Sequence, residues 1–241
     1  MSRHLAIVPA LNEAGSIAQI VTEIRRHAAG FDVLVVDDGS VDDTAAVAAA
    51  AGARVLRMPF NVGIGGAVQC GYLYARDNGY TVAVQVDGDG QHDPRDIPRL
   101  LAALEEEPAV EMATGSRFVG EQGGYRPSPP RRIGMRLFAG LVSLITGQKL
   151  TDATSGFRMS ARRGIELFAR DYPPDYPEVE AILLLHARRL RVREVAVEMR
   201  ARTSGRSTIA RGVQVYYMAK VLLAVLVGLL RRRPTADGDR S

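Results

Sequence analysis

The feature that most constrains this chain is a repeat of short, unbroken apolar runs separated by stretches with helical spacing, sustained over residues 1–115. LAIVPA (5–10) reads as a buried strand, and Asn12 as the cap of a helix over 13–29 with Ile17, Ile20, Val21 and Ile24 on one face. DVLVVDD (32–38) is a second strand, and DDTAAVAAAAG (42–52) a helix closed by glycine. ARVLRM (53–58) is a third strand, followed by a glycine-opened helix over 64–79. TVAVQVD (81–87), RDIPRLLAALEE (95–106) and VEMATGS (110–116) continue as strand, helix, strand. Strands that are apolar throughout, rather than alternating, must be covered on both faces. With helices as the connections, this implies an α/β fold with a mostly parallel, Rossmann-like sheet. Ligands of such sheets sit beyond the carboxyl ends of the strands.

The second half changes character. VGEQGGYRPSPPRR (119–132) is a glycine- and proline-rich loop, and IGMRLFAGLVSLITG (133–147) a helix with apolar residues on several sides. A strand near 156–160, a helix at 161–169, a loop with Pro173, Pro174 and Pro177, a helix at 178–190 and a strand at 192–202 follow. No repeat and no linker divides this region, and 241 residues suit one large α/β domain with an appendage. We expect a catalytic domain over 1–208, an apolar and basic helix over 209–233, and a disordered tail over 234–241. The uninterrupted apolar part of that helix, Val221 to Leu230, is shorter than the roughly 20 residues a spanning helix needs. Ending on Arg231 to Arg233, it reads as an interfacial or partner-docking helix, with a packed C-terminal helix as the alternative.

Acids gather at 37–43, 87–96 and 105–107, whereas arginines crowd 126–136, 188–193, 200–206 and 231–233. A basic second half suits an anionic partner such as a phosphate or a membrane surface. Aromatics make up 6% and Trp is absent, which disfavours a stacking platform; no nucleic-acid partner is expected. The one cysteine, Cys70, allows no intrachain disulfide and fits a reducing compartment. MSRHLAIVPALNE has only a short apolar run before Pro9 and reads as a strand rather than a signal peptide.

Three strands end in polar clusters: PALNE (9–13), DDGS (37–40) and DGDGQHD (87–93). Neighbouring strand ends make one pocket, and carboxylates there invite a ligand because burying them bare costs several kcal/mol. Asp87, Asp89 and Gln91 offer hard oxygens on one loop, which suits Mg²⁺ or Mn²⁺ bound together with a diphosphate. His92 is expected to hydrogen-bond locally rather than ligate. NVGIGGAVQCG (61–71) lacks the Lys-Ser/Thr of a P-loop and follows the third strand, so it reads as close backbone packing beside a nucleotide pocket. The acids at 37–38 could also suggest a phospho-receiver domain, but Arg57, Met58 and Pro59 stand where its phosphoacceptor would be.

PALNE, VVDDGSVDDT, NVGIGGA, QVDGDGQHDP, GSRF, TDATSGFR and GRSTI, in this order over about residues 4–210, closely resemble family 2 glycosyltransferases. The nearest subgroup resembles the dolichol- or polyprenyl-phosphate mannose or glucose synthases. The resemblance implies a GT-A fold and inverting transfer from a GDP- or UDP-linked sugar. It places Pro9, Ala10, Asn12, Glu13, Asp37, Asp38, Asn61 and Gly65 around the nucleotide, and Asp87, Gly88, Asp89 and Gln91 at the metal and diphosphate. It places Arg117, Arg131 and Arg132 near an acceptor phosphate, and Asp152, Ser155 and Arg158 near the sugar. Arg202, Arg206 and Ser207 match a loop that closes on the diphosphate. Gly88 stands where the subgroup often has alanine, and Gly134 and Met135 where a serine is common.

An acceptor hydroxyl needs a general base, for which Glu178 and Glu180 are the candidates. Two residues apart on a helix they point differently, so at most one faces the site. A phosphate acceptor, largely dianionic at neutral pH, needs arginines instead. The arginine supply and the apolar helices favour a polyprenyl phosphate acceptor, with the protein on the cytoplasmic membrane face. The alternative is a hydroxyl acceptor on a polysaccharide sugar or a lipid. A small membrane protein or a second copy is a further expected partner. A nucleotidyltransferase would open on a glycine-rich loop followed by lysine, which PALNEAGS does not offer. A non-catalytic membrane-docking relative would not be expected to keep Asp87, Asp89 and Gln91.

Overall fold

The structure, a computed structural model, describes residues 3–119, 129–174 and 177–200. Within them β1 (His4–Ala10), β2 (Phe31–Asp37), β3 (Arg54–Arg57) and β4 (Val82–Gln85) alternate with α1 (Ile17–His27), α2 (Thr44–Ala50) and α3 (Gly63–Asp77). Then come α4 (Ile97–Glu106), β5 (Val110–Ser116), α5 (Pro129–Thr146), β6 (Arg158–Ala161), α6 (Arg162–Arg170), α7 (Pro177–Ala187) and β7 (Arg191–Ala196).

The strands form one sheet in the order β3-β2-β1-β4-β6-β5-β7. Strand β1 pairs in parallel with both β2 and β4. The order therefore reverses between β1 and β4, and sheets of this kind take their ligands beyond the carboxyl ends at such a reversal. The apolar runs are buried on both faces as expected. Ala6, Val8 and Ala10 join Ile17, Ile20, Val21 and Ile24 of α1 in one cluster with Ile97 and Leu100 of α4. On the opposite face α3 lies against β1 so closely that a Cβ on Gly71 would stand 2.3 Å from Ile7 Cγ2. Tyr72 of α3 meets Phe168 of α6 on that face, with ring centroids 5.1 Å apart.

Strand β6 runs antiparallel to β4 and β5. Its direction has a topological cause. The chain leaves β5 at Ser116 and begins the next strand at the same sheet edge, so that strand must run down. Arg158 consequently lies opposite both Gln85 and Thr114. The turn over 151–157 thus sits at the carboxyl ends of β4 and β5.

Several boundaries differ from expectation. Helix α1 starts at Ile17, not residue 13, because Asn12 takes a positive φ of 55° and its side-chain Oδ1 accepts from the Val41 N–H instead of capping a helix. Helix α5 starts inside the expected loop 119–132; its two leading prolines suit a first turn, whose N–H groups have no helical partner. It buries Met135, Phe138, Ala139 and Val142 and leaves Leu137 and Leu144 exposed. Strand β7 stops at Ala196 rather than 202. Beyond it Arg200 N–H donates to Gln91 O, and Met199 bridges His92. Among the described residues no helix is long and apolar enough to cross a membrane. The helix expected at 209–233 and the tail at 234–241 lie outside the described residues.

Candidate active site

The ends of β1, β2 and β4 meet through short contacts. Asp38 N–H donates to Ala10 O at 2.9 Å. Ser16 Oγ donates to Gly88 O at 2.7 Å, which ties the start of α1 to the loop after β4. A Cβ at residue 88 would stand 3.0 Å from Pro9 O and 3.3 Å from Ala10 Cβ, so glycine lets the two strand ends approach. Asn12 N–H donates to Ser40 Oγ and Glu13 N–H to Thr44 Oγ1, joining the loop after β1 to that after β2. Buried Glu13 accepts from Ser16 Oγ.

The two acids after β2 have different duties. Asp38 accepts from the N–H groups of Val62 and Gly63 and so anchors the start of α3. Asp37 is 1% exposed; Oδ1 takes the Ser40 N–H, while buried Oδ2 has no hydrogen-bond partner and lies 3.5 Å from Arg57 Nε. That oxygen is ion-paired with Arg57 but takes no hydrogen bond, so a ligand N–H could use it. Gly39, Ser40, Arg57, Met58 and Pro59 line a cavity of about 330 Å³ at this place. Asn61 Oδ1 accepts from Gly63 N–H. Gly65 allows α3 to meet the loop before α7: a Cβ there would stand 2.4 Å from Pro173 O.

The loop after β4 holds Asp87, Asp89 and Gln91 on one turn. Asp89 is buried and its Oδ1 accepts from Gln91 N–H. Asp87 is oriented from both sides: Gln85 Nε2 donates to Oδ1 at 3.1 Å, and His92 Nε2 lies 3.5 Å from Oδ2. His92 Nδ1 accepts from Asp87 N–H and its ring stacks on Phe157, so it supports the loop as expected. Tyr172 OH donates to Gln85 Oε1, which fixes the amide with its nitrogen toward Asp87. Burial pushes the Tyr172 phenol well above its ordinary range, so it stays a donor. Behind the loop, Asp93 binds Arg95 and Arg200. Burial opposes its ionisation, but these hydrogen bonds outweigh it and hold the carboxyl at about 2.

At the ends of β5 and β7 the structure brings together residues from three segments. Arg117 donates to Asp152 through Nε at 2.6 Å and Nη2 at 2.7 Å, a bidentate pair largely removed from solvent. Its Nη2 also donates to Thr154 Oγ1. Glu194 of β7 accepts from Asp152 N–H, Thr151 N–H and the Thr151 hydroxyl. Burial pushes the Glu194 carboxyl up, and those hydrogen bonds counter it only in part.

Among the described residues Arg158 is the largest fully buried side chain. It donates to the carbonyls of Ser155 and Ala153 and to those of Pro177 and Glu178 at the start of α7. Its side chain is therefore a strut between the 151–158 segment and α7, rather than a group offered to a sugar. Ser155 is fully buried and its Oγ accepts from Phe157 N–H. A Cβ on Gly156 would be 3.3 Å from Asp87 Oδ2, so this segment touches the acidic loop. Glu178 and Glu180 both fall in the first turn of α7 and both are partly buried.

Arg131 and Arg132 belong to the first turns of α5, with side chains outside the described residues; Arg202, Arg206 and Ser207 lie outside them entirely. The sequence reading missed Gln85, Tyr172, Arg57 and Glu194. Gln85 opens the acidic motif and was legible there; Glu194 carries no local signal.

The donor set of the β4 loop fits a hard divalent ion. Among the described residues no three His, Cys, Asp or Glu side chains converge. The acids and Gln91 would then share the ion with waters and a diphosphate, as Mg²⁺ and Mn²⁺ prefer.

Residues 5–168 match the family described as Glycosyl transferase family 2. The chain is 32% identical to an undecaprenyl-phosphate mannosyltransferase of Micrococcus luteus, over 88% of this chain and 89% of that relative. It is 33% identical to a polyprenol monophosphomannose synthase of Mycolicibacterium smegmatis, over 68% of this chain and 63% of that relative. Among solved structures, it is similar to glucosyl-3-phosphoglycerate synthase from Mycobacterium tuberculosis in complex with Mn²⁺, uridine diphosphate and phosphoglyceric acid. That likeness has a TM-score of 0.72 at 21% identity and covers 97% of this chain and 80% of the other. It is a likeness of fold, and the α/β sheet described above is of the GT-A kind.

Proposed function

The chain belongs to glycosyl transferase family 2, and from that premise we propose that it moves a sugar, with inversion, from a nucleotide-sugar to an acceptor that carries a phosphate. The observation that carries this reading is the juxtaposition at one sheet edge. The acidic loop after β4 and Arg117 after β5 flank the turn 151–157, which touches the one through Gly156 and holds the other through Asp152.

On the donor side, Asp37 Oδ2, which takes no hydrogen bond, suits a base N–H, and Asp87, Asp89 and Gln91 would hold Mg²⁺ or Mn²⁺ on the diphosphate. The bound ion supplies charge neutralisation for the departing nucleoside diphosphate. The Mn²⁺ complex of the structural relative supports that choice of ion. On the acceptor side, Arg117 is fixed in plane by Asp152 and suits a phosphate oxygen.

The sequence relatives and the solved structures point to different acceptors. The undecaprenyl-phosphate mannosyltransferase and the polyprenol monophosphomannose synthase support a lipid phosphate whose own oxygen attacks. It needs no general base. The exposed Leu137 and Leu144 of α5 would then face the cytoplasmic surface of a membrane, and the apolar, arginine-ended sequence 213–233 has the composition of a segment that binds one. The fold relatives favour the second reading, a hydroxyl beside a phosphate, as phosphoglyceric acid provides. Glu178 or Glu180 would then serve as base.

The experiment is an acceptor screen with labelled UDP- and GDP-sugars, offering undecaprenyl phosphate, phosphoglyceric acid and a free sugar without phosphate in parallel. Product on undecaprenyl phosphate supports the first reading, and product on phosphoglyceric acid alone supports the second. Transfer only to an acceptor without phosphate would overturn both.

A further inference from the structure

Glu194 stands apart from the residues that face donor or acceptor, yet its carboxylate gathers three hydrogen bonds from one turn. Asp152 N–H lies 2.6 Å from Oε1, and Thr151 N–H and hydroxyl lie 2.7 and 2.9 Å from Oε2. Its strand position explains its reach. In the β5–β7 register Glu194 is opposite Thr114, two residues before Ser116, where the chain turns toward Arg117. Ser116 Oγ shares a hydrogen bond of 2.8 Å with Thr151 Oγ1, so the exit of β5 and the turn are fastened to the same point. Beyond that point the Asp152 carboxylate takes the Nε and Nη2 edge of Arg117 and also its backbone N–H.

We infer that Glu194 is a positioning residue for the acceptor: by holding the 151–152 backbone it sets the direction of the Asp152 carboxylate and hence the plane of the Arg117 guanidinium. This rests on the reading of Arg117 as the residue that meets the acceptor anion. A carboxylate is the group this place requires, since both oxygens must accept. In Glu194→Gln one of them becomes an N–H₂ that faces a backbone N–H. Arg117 then keeps its charge and loses its fixed orientation. The donor loops, which make no hydrogen bond to Glu194, keep theirs.

The test uses the full chain, with Glu194→Gln, the milder Thr151→Val and Arg117→Ala. Acceptor KM and kcat are measured with undecaprenyl phosphate and with phosphoglyceric acid, and affinity for Mn²⁺-UDP and Mn²⁺-GDP by titration calorimetry. Glu194→Gln is expected to raise acceptor KM about tenfold and Thr151→Val about threefold, the scale of one strained or lost hydrogen bond to a charged group. Nucleotide affinity is expected to stay at the wild-type value. A purely structural role would lower stability and disturb both substrates alike, which would overturn the inference. Should Glu194→Gln fail to fold, Thr151→Val carries the same comparison. If Arg117→Ala leaves acceptor KM unchanged, the reading of Arg117 falls and the inference with it. If Arg117→Ala raises it while both other variants match wild type, the inference alone falls.

Discussion

At the ends of β2 and β4, acids take hydrogen bonds from backbone close in sequence: Asp37 from Ser40, Asp89 from Gln91, Asp93 from Arg95. At the ends of β5 and β7 the acids reach across the chain instead. Asp152 holds Arg117 from 35 residues away, and Glu194 holds Asp152 from 42. The first arrangement closes each turn on itself, and contacts such as Asp38 to Val62 and Ser16 to Gly88 then fasten the turns together. The second forms only when three segments have already met. A proposed donor side whose acids first close their own turns and a proposed acceptor side built on a long-range ion pair should therefore fail differently when cut.

The largest expected effect is on the donor side and on chemistry alone. Asp89→Ala should lower transfer by about a thousandfold, since charge stabilisation by a metal is worth several kcal/mol. Circular dichroism should still report a folded protein, and metal removal with EDTA should mimic the variant. Wild-type-like turnover would refute the metal assignment.

The sharper contrast is between Asp152→Ala and Asp38→Ala, read as urea midpoints. The first takes the Asp152 carboxylate away from Arg117 in a largely buried place and should cost about 3–5 kcal/mol. The second removes two hydrogen bonds at the start of α3, a capping loss of about 1–2 kcal/mol. Asp38 also reaches 24 and 25 residues along the chain, so equal losses would show that the buried ion pair counts for no more than two backbone hydrogen bonds.

The smallest effect is a slope. Asp93 has a folded pKa of about 2, below the roughly 3.9 of an unfolded aspartate. Its contribution is present above pH about 4 and lost as pH falls toward about 2. Asp93→Asn should flatten the acid-side decline of stability in that window, measured from urea midpoints at successive pH values. An unchanged decline would show that the Arg95 and Arg200 contacts do not favour the charged form.

The same contrast explains what the sequence makes legible. The strands, the helices between them and the acidic loop after β4 rest on spacing within ten residues or so, and the family resemblance rests on those same motifs. Asn12 misled because an Asn before a helical stretch is an apt cap; only the fold shows its side chain occupied with Val41. Apolar spacing marks β6 as a strand but not its direction, which depends on where the chain returns. Arg158 lies within a motif that suggests a ligand, and only the start of α7 reveals it as a strut. Glu194 could not be found from its own neighbourhood, where it is one acid on a half-polar strand.

The return of β6 at the edge where β5 ends has one more consequence. Residues 117–157 leave and re-enter the sheet on the same side, like a cartridge with both contacts on one rail. Lengthening or exchanging such an excursion changes no register among β1, β2, β3 and β4, because loop closure becomes only slowly costlier with length. Evolution could therefore revise what this scaffold glycosylates by rewriting that stretch alone, provided the new one still ends on a turn that Glu194 can grip.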